Sequence, residues 1–174
     1  MCNLYNVTTT RDAILAFARA RRIDAGNLQP SLEVYPDYLA PVARKGADGE
    51  IEIARLRWGM PTPPAFVKGK ADRGVTNIRN VDSPHWRRWL GPGHRCLVPA
   101  TSFAEPDPAS TPPGGRVPNA WFALSGDRPM FAFAGVWTPW RGVRKVRDGE
   151  QDMELFAFLT TSPNAVVAPI HKKA

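Results

Sequence analysis

The stretch YLAPVARKGADGEIEIARLRW, residues 38–58, decides how the rest of the chain is read. Leu39 to Ala43 form one β arm, Ala47, Asp48 and Gly49 supply turn chemistry, and Ile51 to Trp58 form the returning arm. Ile51 and Ile53 alternate with polar Glu52, as on a half-buried strand. The alternation slips near Arg55, which predicts a bulge there. The first long motif is therefore an antiparallel hairpin.

Working outward, the same pattern recurs. Arg95–Ala100 reads as a short strand. Ala120–Leu124 and Met130–Trp137 read as longer strands joined at Ser125–Arg128, and Met153–Thr161 as a further strand. Residues 106–118, rich in Pro and Gly, read as an exposed loop, and the charged run 141–152 as a hairpin tip. Helices are few. Thr9–Arg21 carries Thr9 as a cap with Asp12 three residues on, and Ile14, Leu15, Phe17 and Ala18 make its apolar face. Ser83-Pro84 opens a short helix bearing Trp86 and Trp89, and Ser162-Pro163 opens a last helix toward His171. No βαβ rhythm appears. The predicted fold is α+β: a single domain, residues 1–174, of antiparallel, hairpin-rich, barrel-like β-sheet with short peripheral helices.

Composition bounds the function. The 174 residues suffice for one core without staples, and the 18 prolines predict many irregular turns. Lys and Arg outnumber Asp and Glu by 23 to 16, a formal charge of +7 that favours a polyanionic partner. The two cysteines, Cys2 and Cys96, lack CxxC spacing, so no metal site or disulfide framework is expected, and no cofactor. The first residues lack a signal-peptide pattern, and no stretch reaches the ~20 apolar residues that span a bilayer. A cytoplasmic protein, free of membranes and monomeric, is expected.

Cys2 directly follows the initiator methionine. Removing Met1 would place an α-amine beside the thiol, with reference pKa values near ~8 and ~8.5. Such a 1,2-aminothiol condenses with an aldehyde. The amine forms a Schiff base, and the thiol closes it to a thiazolidine. Proton carriers within reach are then required. Glu105 at a strand end, His171 near the end of the chain, and Asn77, both donor and acceptor, are candidates. Cys96 reads as a buried strand residue, and His85 and His94 as surface or satisfied histidines.

Taken in order, several segments resemble the SRAP (SOS response-associated peptidase) family of abasic-site processing proteins. They are Met1-Cys2, Arg57-Trp58-Gly59, Thr76-Asn77-Ile78-Arg79, Arg95 to Ala100, Phe103-Ala104-Glu105, Phe133 to Trp137, and Thr160-Thr161 with Asn164 and Ile170-His171. The resemblance implies an autocatalytic peptidase that removes Met1 and a covalent cross-link from Cys2 to abasic sites in single-stranded DNA. It implies that Asn77 orients the sugar and the Cys2 end, that Glu105 moves protons, and that His171 contacts the sugar or phosphate. It implies that Arg79 holds a backbone phosphate. The chain departs from the family pattern at Asn3-Leu4, at Met60–Pro64, at Pro106 and at Lys173, but not at Cys2, Asn77, Glu105 or His171. The family's C-terminal tail is expected to be missing.

A single-strand groove needs basic residues with aromatic or apolar wedges. Arg73, Arg79, Trp58 and Lys173 are assigned to it, with Arg87, Arg88, Trp86 and Trp89 as nearby candidates. Trp86 and Trp89, at helical spacing, also fit a core, and the basic run 141–147 reads as a solvated tip. Two other readings stay open: an N-terminal-nucleophile amidohydrolase and a non-catalytic single-strand-binding module.

Overall fold

The computed structural model describes residues 2–24 and 31–172. The strands are β1 (Leu4–Val7), β2 (Arg22–Asp24), β3 (Ser31–Val34), β4 (Leu39–Lys45), β5 (Ile51–Trp58), β6 (Asn77–Ile78), β7 (Arg95–Ala100), β8 (Ser102–Pro106), β9 (Asn119–Phe122), β10 (Phe131–Gly142) and β11 (Gln151–Leu159). The helices are α1 (Arg11–Ala18) and α2 (Pro84–Arg87). The hairpin of residues 38–58 forms with unbroken register from Leu39↔Arg57 to Lys45↔Ile51. No bulge falls at Arg55. The pattern slips because β5 is covered on both sides. Ala54, Leu56 and Trp58 enter one apolar cluster, while Ile53 packs with Val7, Ile14 and Ala43 beneath α1. Burial on both sides at Ile53 and Ala54 breaks the alternation there, while Arg55 stays exposed.

Strands β5, β4, β7, β10 and β11 follow one another, and β11 pairs back onto β5, closing a five-stranded barrel. The seam is parallel and brief, Leu155↔Arg57 and Phe156↔Trp58. The Gly59 amide adds a bond to the Phe156 carbonyl at 2.7 Å. Beyond the seam the two strands diverge. β2 takes the free edge of β5 at Glu52–Ala54, and β6 takes that of β11 at Phe158–Leu159.

A second sheet, in the order β3-β1-β8-β9, lies against this barrel. The chain passes between the sheets at Thr101, whose amide bonds the Asn6 carbonyl at 2.8 Å. Tyr5 of β1 is wholly buried. Its ring meets Trp58, Phe133 and Phe158 edge-on at centroid separations of 5.2, 6.2 and 5.4 Å. Edge-to-face pairs of this kind add about 0.5–1.5 kcal/mol each beyond area burial. This aromatic layer joins the two sheets into one domain.

Near the first residues of β5 and β11 the barrel holds charge. Arg44 bonds Glu52 at 3.0 Å and Glu154 at 2.5 Å, and its guanidinium lies 4.1 Å above the Trp137 ring. Arg22 reaches Glu52 from β2 at 2.6 Å. Burial alone would raise the Glu52 pKa, but the Arg22 and Arg44 guanidiniums hold it below the ordinary carboxylate value.

Helix α1 is shorter than predicted. Thr10, not Thr9, is its cap, accepting from the Ala13 amide, and Arg19 ends it in the left-handed region at φ 51°. The segment after Ser162-Pro163 forms isolated turns instead of a helix. Asn164 Oδ1 caps the Val166 and Val167 amides, and Pro169 interrupts any continuation. Trp86 and Trp89 are core residues, each 6% exposed. No helix among the described residues is long and apolar enough to cross a membrane.

Replacing Arg44 by Met leaves buried Glu52 with Arg22 as its remaining guanidinium and takes the Arg44 partner from half-exposed Glu154. We expect a loss of about 3 kcal/mol, read as a lower urea midpoint. Arg44→Met combined with Glu52→Leu should recover part of that loss. An unchanged midpoint in the single variant would show that water at the barrel end already neutralises the network.

Candidate functional site

The residue ahead of β1 and the strands β6 and β8 deliver three side chains to one cavity, and a C-terminal turn sets a fourth beside it. Cys2 precedes β1, Asn77 opens β6, Glu105 lies near the end of β8, and His171 follows the turns after β11. Asn77 is fixed by the parallel pairing Phe158↔Asn77, just past the barrel seam. Its Nδ2 donates to the Cys2 carbonyl at 2.7 Å and to Thr76 Oγ1 at 2.9 Å. Its Oδ1 is buried and has no hydrogen-bond partner among the described residues. Glu105 is 1% exposed, and His171 Nδ1 stands 3.6 Å from Glu105 Oε2. A cavity of about 220 Å³ is lined by Cys2, Asn77 and Glu105 together with Phe103, Phe133, Phe158 and Thr160. Buried Thr160 Oγ1 also lacks a partner among the described residues.

Cys2 itself is 6% exposed. Its thiol donates to the Leu4 carbonyl at 3.1 Å. Burial pushes the thiol up to about 12; hydrogen bonding to the Leu4 backbone opposes the rise, and the charge of Glu105 adds to it. The sulfur is thus held as a neutral thiol at physiological pH. Cys96 is likewise buried, as its strand position predicted, and burial raises its pKa as well. Among the described residues no group of His, Cys, Asp and Glu is gathered to hold a metal ion.

The residues assigned to a DNA groove do not stay together. Arg73 is exposed and lines a groove of about 660 Å³ beside the site. The walls of this groove include Asn3, Thr76 and Ala104, the sequence neighbours of Cys2, Asn77 and Glu105. Thr76 Oγ1 donates to Asn3 Oδ1 at 3.2 Å, so one hydrogen-bond chain links cavity and groove. Arg79 is exposed, two residues after Asn77. Trp58 is not on a groove: it is 1% exposed, packed among Tyr5, Phe156 and Phe158, and its Nε1 donates to the Thr76 carbonyl at 3.0 Å. Its inward face follows from β5 register, and its effect on the site is indirect, through Thr76. Lys173 lies outside the described residues.

The basic run 141–147 is only partly a solvated tip. Arg141 pairs with Glu150 and Asp152 at the surface, but Arg144 is buried and donates to the carbonyls of Gly59 and Asp72. It closes against Gly74, whose φ of 79° and lack of a side chain admit the guanidinium. His85 and His94 are satisfied by the carbonyls of Pro61 and Trp137, each at 2.9 Å. Thr160 and the three phenylalanines of the cavity lie in segments singled out by sequence. Their wall position is set by strand parity across two sheets, which the sequence does not display.

The model of the family "SOS response associated peptidase (SRAP)" matches residues 1–174. No curated protein matches the chain. Among solved structures, a protein from Bordetella bronchiseptica superposes with a TM-score of 0.68 at 20% identity, covering 98% of this chain and 78% of its own. One from Bacteroides thetaiotaomicron gives 0.69 at 20% identity, covering 97% and 72%. A phage-related protein from Bordetella bronchiseptica gives 0.64 at 19% identity, covering 92% and 70%. At such identities these likenesses speak for the fold alone. The family match, running the whole length, carries the conclusion that the chain belongs to the SRAP family, and so to a DNA-damage-related role.

Proposed function

We propose that the protein removes its own Met1 and then uses Cys2 to bond covalently to abasic sites in single-stranded DNA. The observation that carries this reading is the 2.7 Å bond from Asn77 to the Cys2 carbonyl. It holds the backbone of residue 2 at a cavity that Glu105 also lines, and His171 stands beside that carboxylate.

The chemistry balances without a cofactor. Hydrolysis of the Met1–Cys2 peptide bond consumes one water and frees the α-amine. The amine adds to the aldehyde of the ring-opened sugar to give a carbinolamine. Loss of one water yields the imine. The thiol then adds to the imine carbon, its proton passes to nitrogen, and a thiazolidine results. The amine acts first and the sulfur follows, because the five-membered ring closes only on the imine carbon. Glu105, which lines the same cavity as Cys2, receives the ammonium proton and returns it to the departing hydroxyl in this reading. His171, next to Glu105, serves the sugar hydroxyl or the phosphate. Arg73 and Arg79 supply charge for the strand.

A denaturing gel with an oligonucleotide bearing one abasic site tests this. A band that survives heat and detergent is expected from the wild type and not from Cys2→Ala. Cys2→Ser should give a borohydride-trappable imine but no heat-stable band. Glu105→Gln should slow cross-linking by about a hundredfold, and Asn77→Ala should slow it too. A heat-stable band that persists in Cys2→Ala would sink the proposal. Absence of any band from folded protein with a free Cys2 would do the same, and would turn attention to glutamine or peptide turnover.

Thiol burial makes a separate prediction. A pKa raised from 9.0 to about 12 leaves about a thousandth of the usual thiolate at neutral pH. Iodoacetamide should label Cys2 correspondingly slowly, with a rate that climbs as pH rises toward 12. Because the folded-state pKa lies above the unfolded 9.0, this burial supports folding fully below pH 9 and its contribution is lost as pH rises toward 12. Labelling at the speed of a free thiol at pH 7 would show that Cys2 is open to solvent.

A further inference from the structure

Residues 35–38 form a tight turn that the proposed chemistry does not use. The Tyr38 amide bonds the Tyr35 carbonyl at 3.1 Å, Pro36 presets the first corner, and Asp37 takes φ 70° at the second. A left-handed aspartate is uncommon, and this one is held from several sides. Its amide donates to the Trp58 carbonyl at 2.9 Å. Arg57 Nη1 donates to its carbonyl at 2.7 Å and lies 3.3 Å from its carboxylate, with Lys145 at 3.8 Å.

The turn keeps two tyrosines out of the core. Tyr35 is 37% and Tyr38 54% exposed, with ring centroids 5.6 Å apart and planes inclined at 66°. The Tyr35 hydroxyl donates to Glu33 at 2.9 Å, which fixes the ring's direction. Tyr35 and Pro36 line the same groove as Arg73, Asn3 and Thr76. The groove therefore combines an exposed aromatic ring, Tyr35, with Tyr38 packed beside it, a cation and direct contiguity with the Cys2 site. Single strands are held by this combination: charge for phosphates and π-faces for bases.

Building on the proposed reaction, we propose that Tyr35, supported by Tyr38 packed against it, forms a stacking platform for an unpaired base of the strand flanking the lesion. The stack is indifferent to base identity, because every base has a π-face. It sets how tightly the strand is held and leaves the bond-making steps at Cys2 unchanged.

The test measures fluorescence anisotropy on a lesion-free single strand and cross-linking on the same strand with one abasic site. Tyr35→Ala and Tyr38→Ala should each raise the lesion-free Kd by about tenfold, and Tyr35→Phe should bind like the wild type. On the abasic strand, Tyr35→Ala should shift half-saturation upward while the cross-linking rate at saturation stays at the wild-type value. A strand whose bases are replaced by tetrahydrofuran spacers serves as the second probe. Wild-type protein should bind it about as weakly as Tyr35→Ala binds the normal strand, with no further loss for the variant on the spacer strand. Binding of both alanine variants within twofold of wild type would overturn the platform, as would wild-type affinity for the spacer strand equal to that for the normal one. If wild-type protein binds the lesion-free strand as expected but never cross-links, the reaction fails and the platform stands.

Discussion

The closure of the barrel rests on a parallel contact two residue pairs long, between Arg57-Trp58 on one strand and Leu155-Phe156 on the other. Everything at the site is referred to that seam. Because the two strands diverge after it, β11 keeps a free edge at Phe158, and that edge accepts Asn77. Trp58, at the seam, holds the Thr76 carbonyl with its indole nitrogen. Asn77 in turn holds the Cys2 carbonyl. A short chain of contacts thus runs from barrel closure to Cys2.

The seam also explains why glycine and a buried arginine occur where they do. Gly59 leaves the seam at φ 139° and Gly74 returns at φ 79°, with Arg144 between them bonding the carbonyls of Gly59 and Asp72. The Asp72 carboxylate ties Thr62 and Gly74 at 2.5–2.9 Å. The excursion between β5 and β6 is therefore clamped at its neck, which keeps Asn77 in register despite a long loop of prolines and lysines.

Much of this was legible in the sequence, and the divisions have physical causes. The 39–58 hairpin was readable because turn residues separate two apolar arms. The strands around Cys96 and Trp137 were readable because their apolar runs are long. Cys2, Asn77, Glu105 and His171 were readable because they stand in recurring short motifs, and the structure brings Cys2, Asn77 and Glu105 to one cavity with His171 beside Glu105. Trp58 was misplaced because an aromatic beside arginines resembles a groove residue, and only the register of β5 against β11 turns it inward. Arg144 was read as solvated because its partners are backbone carbonyls far away in sequence. The strands at residues 22–24 and 31–34 went unread, since each is too short to show a period.

One topological fact bears on how the protein is made. The N-terminal strand β1 lies between β3 and β8, so residues 4–6 find one of their partners only at 102–104. During synthesis, the first strand leaves the ribosome long before the second of its neighbours exists. Its pairing is a late, non-local event of the kind that slows folding. The grip on Cys2 waits as well for Asn77 and for the strand that seats it. The surroundings of Cys2 are thus assembled near the end of folding, and an incomplete chain carries the cysteine without the residues that enclose it.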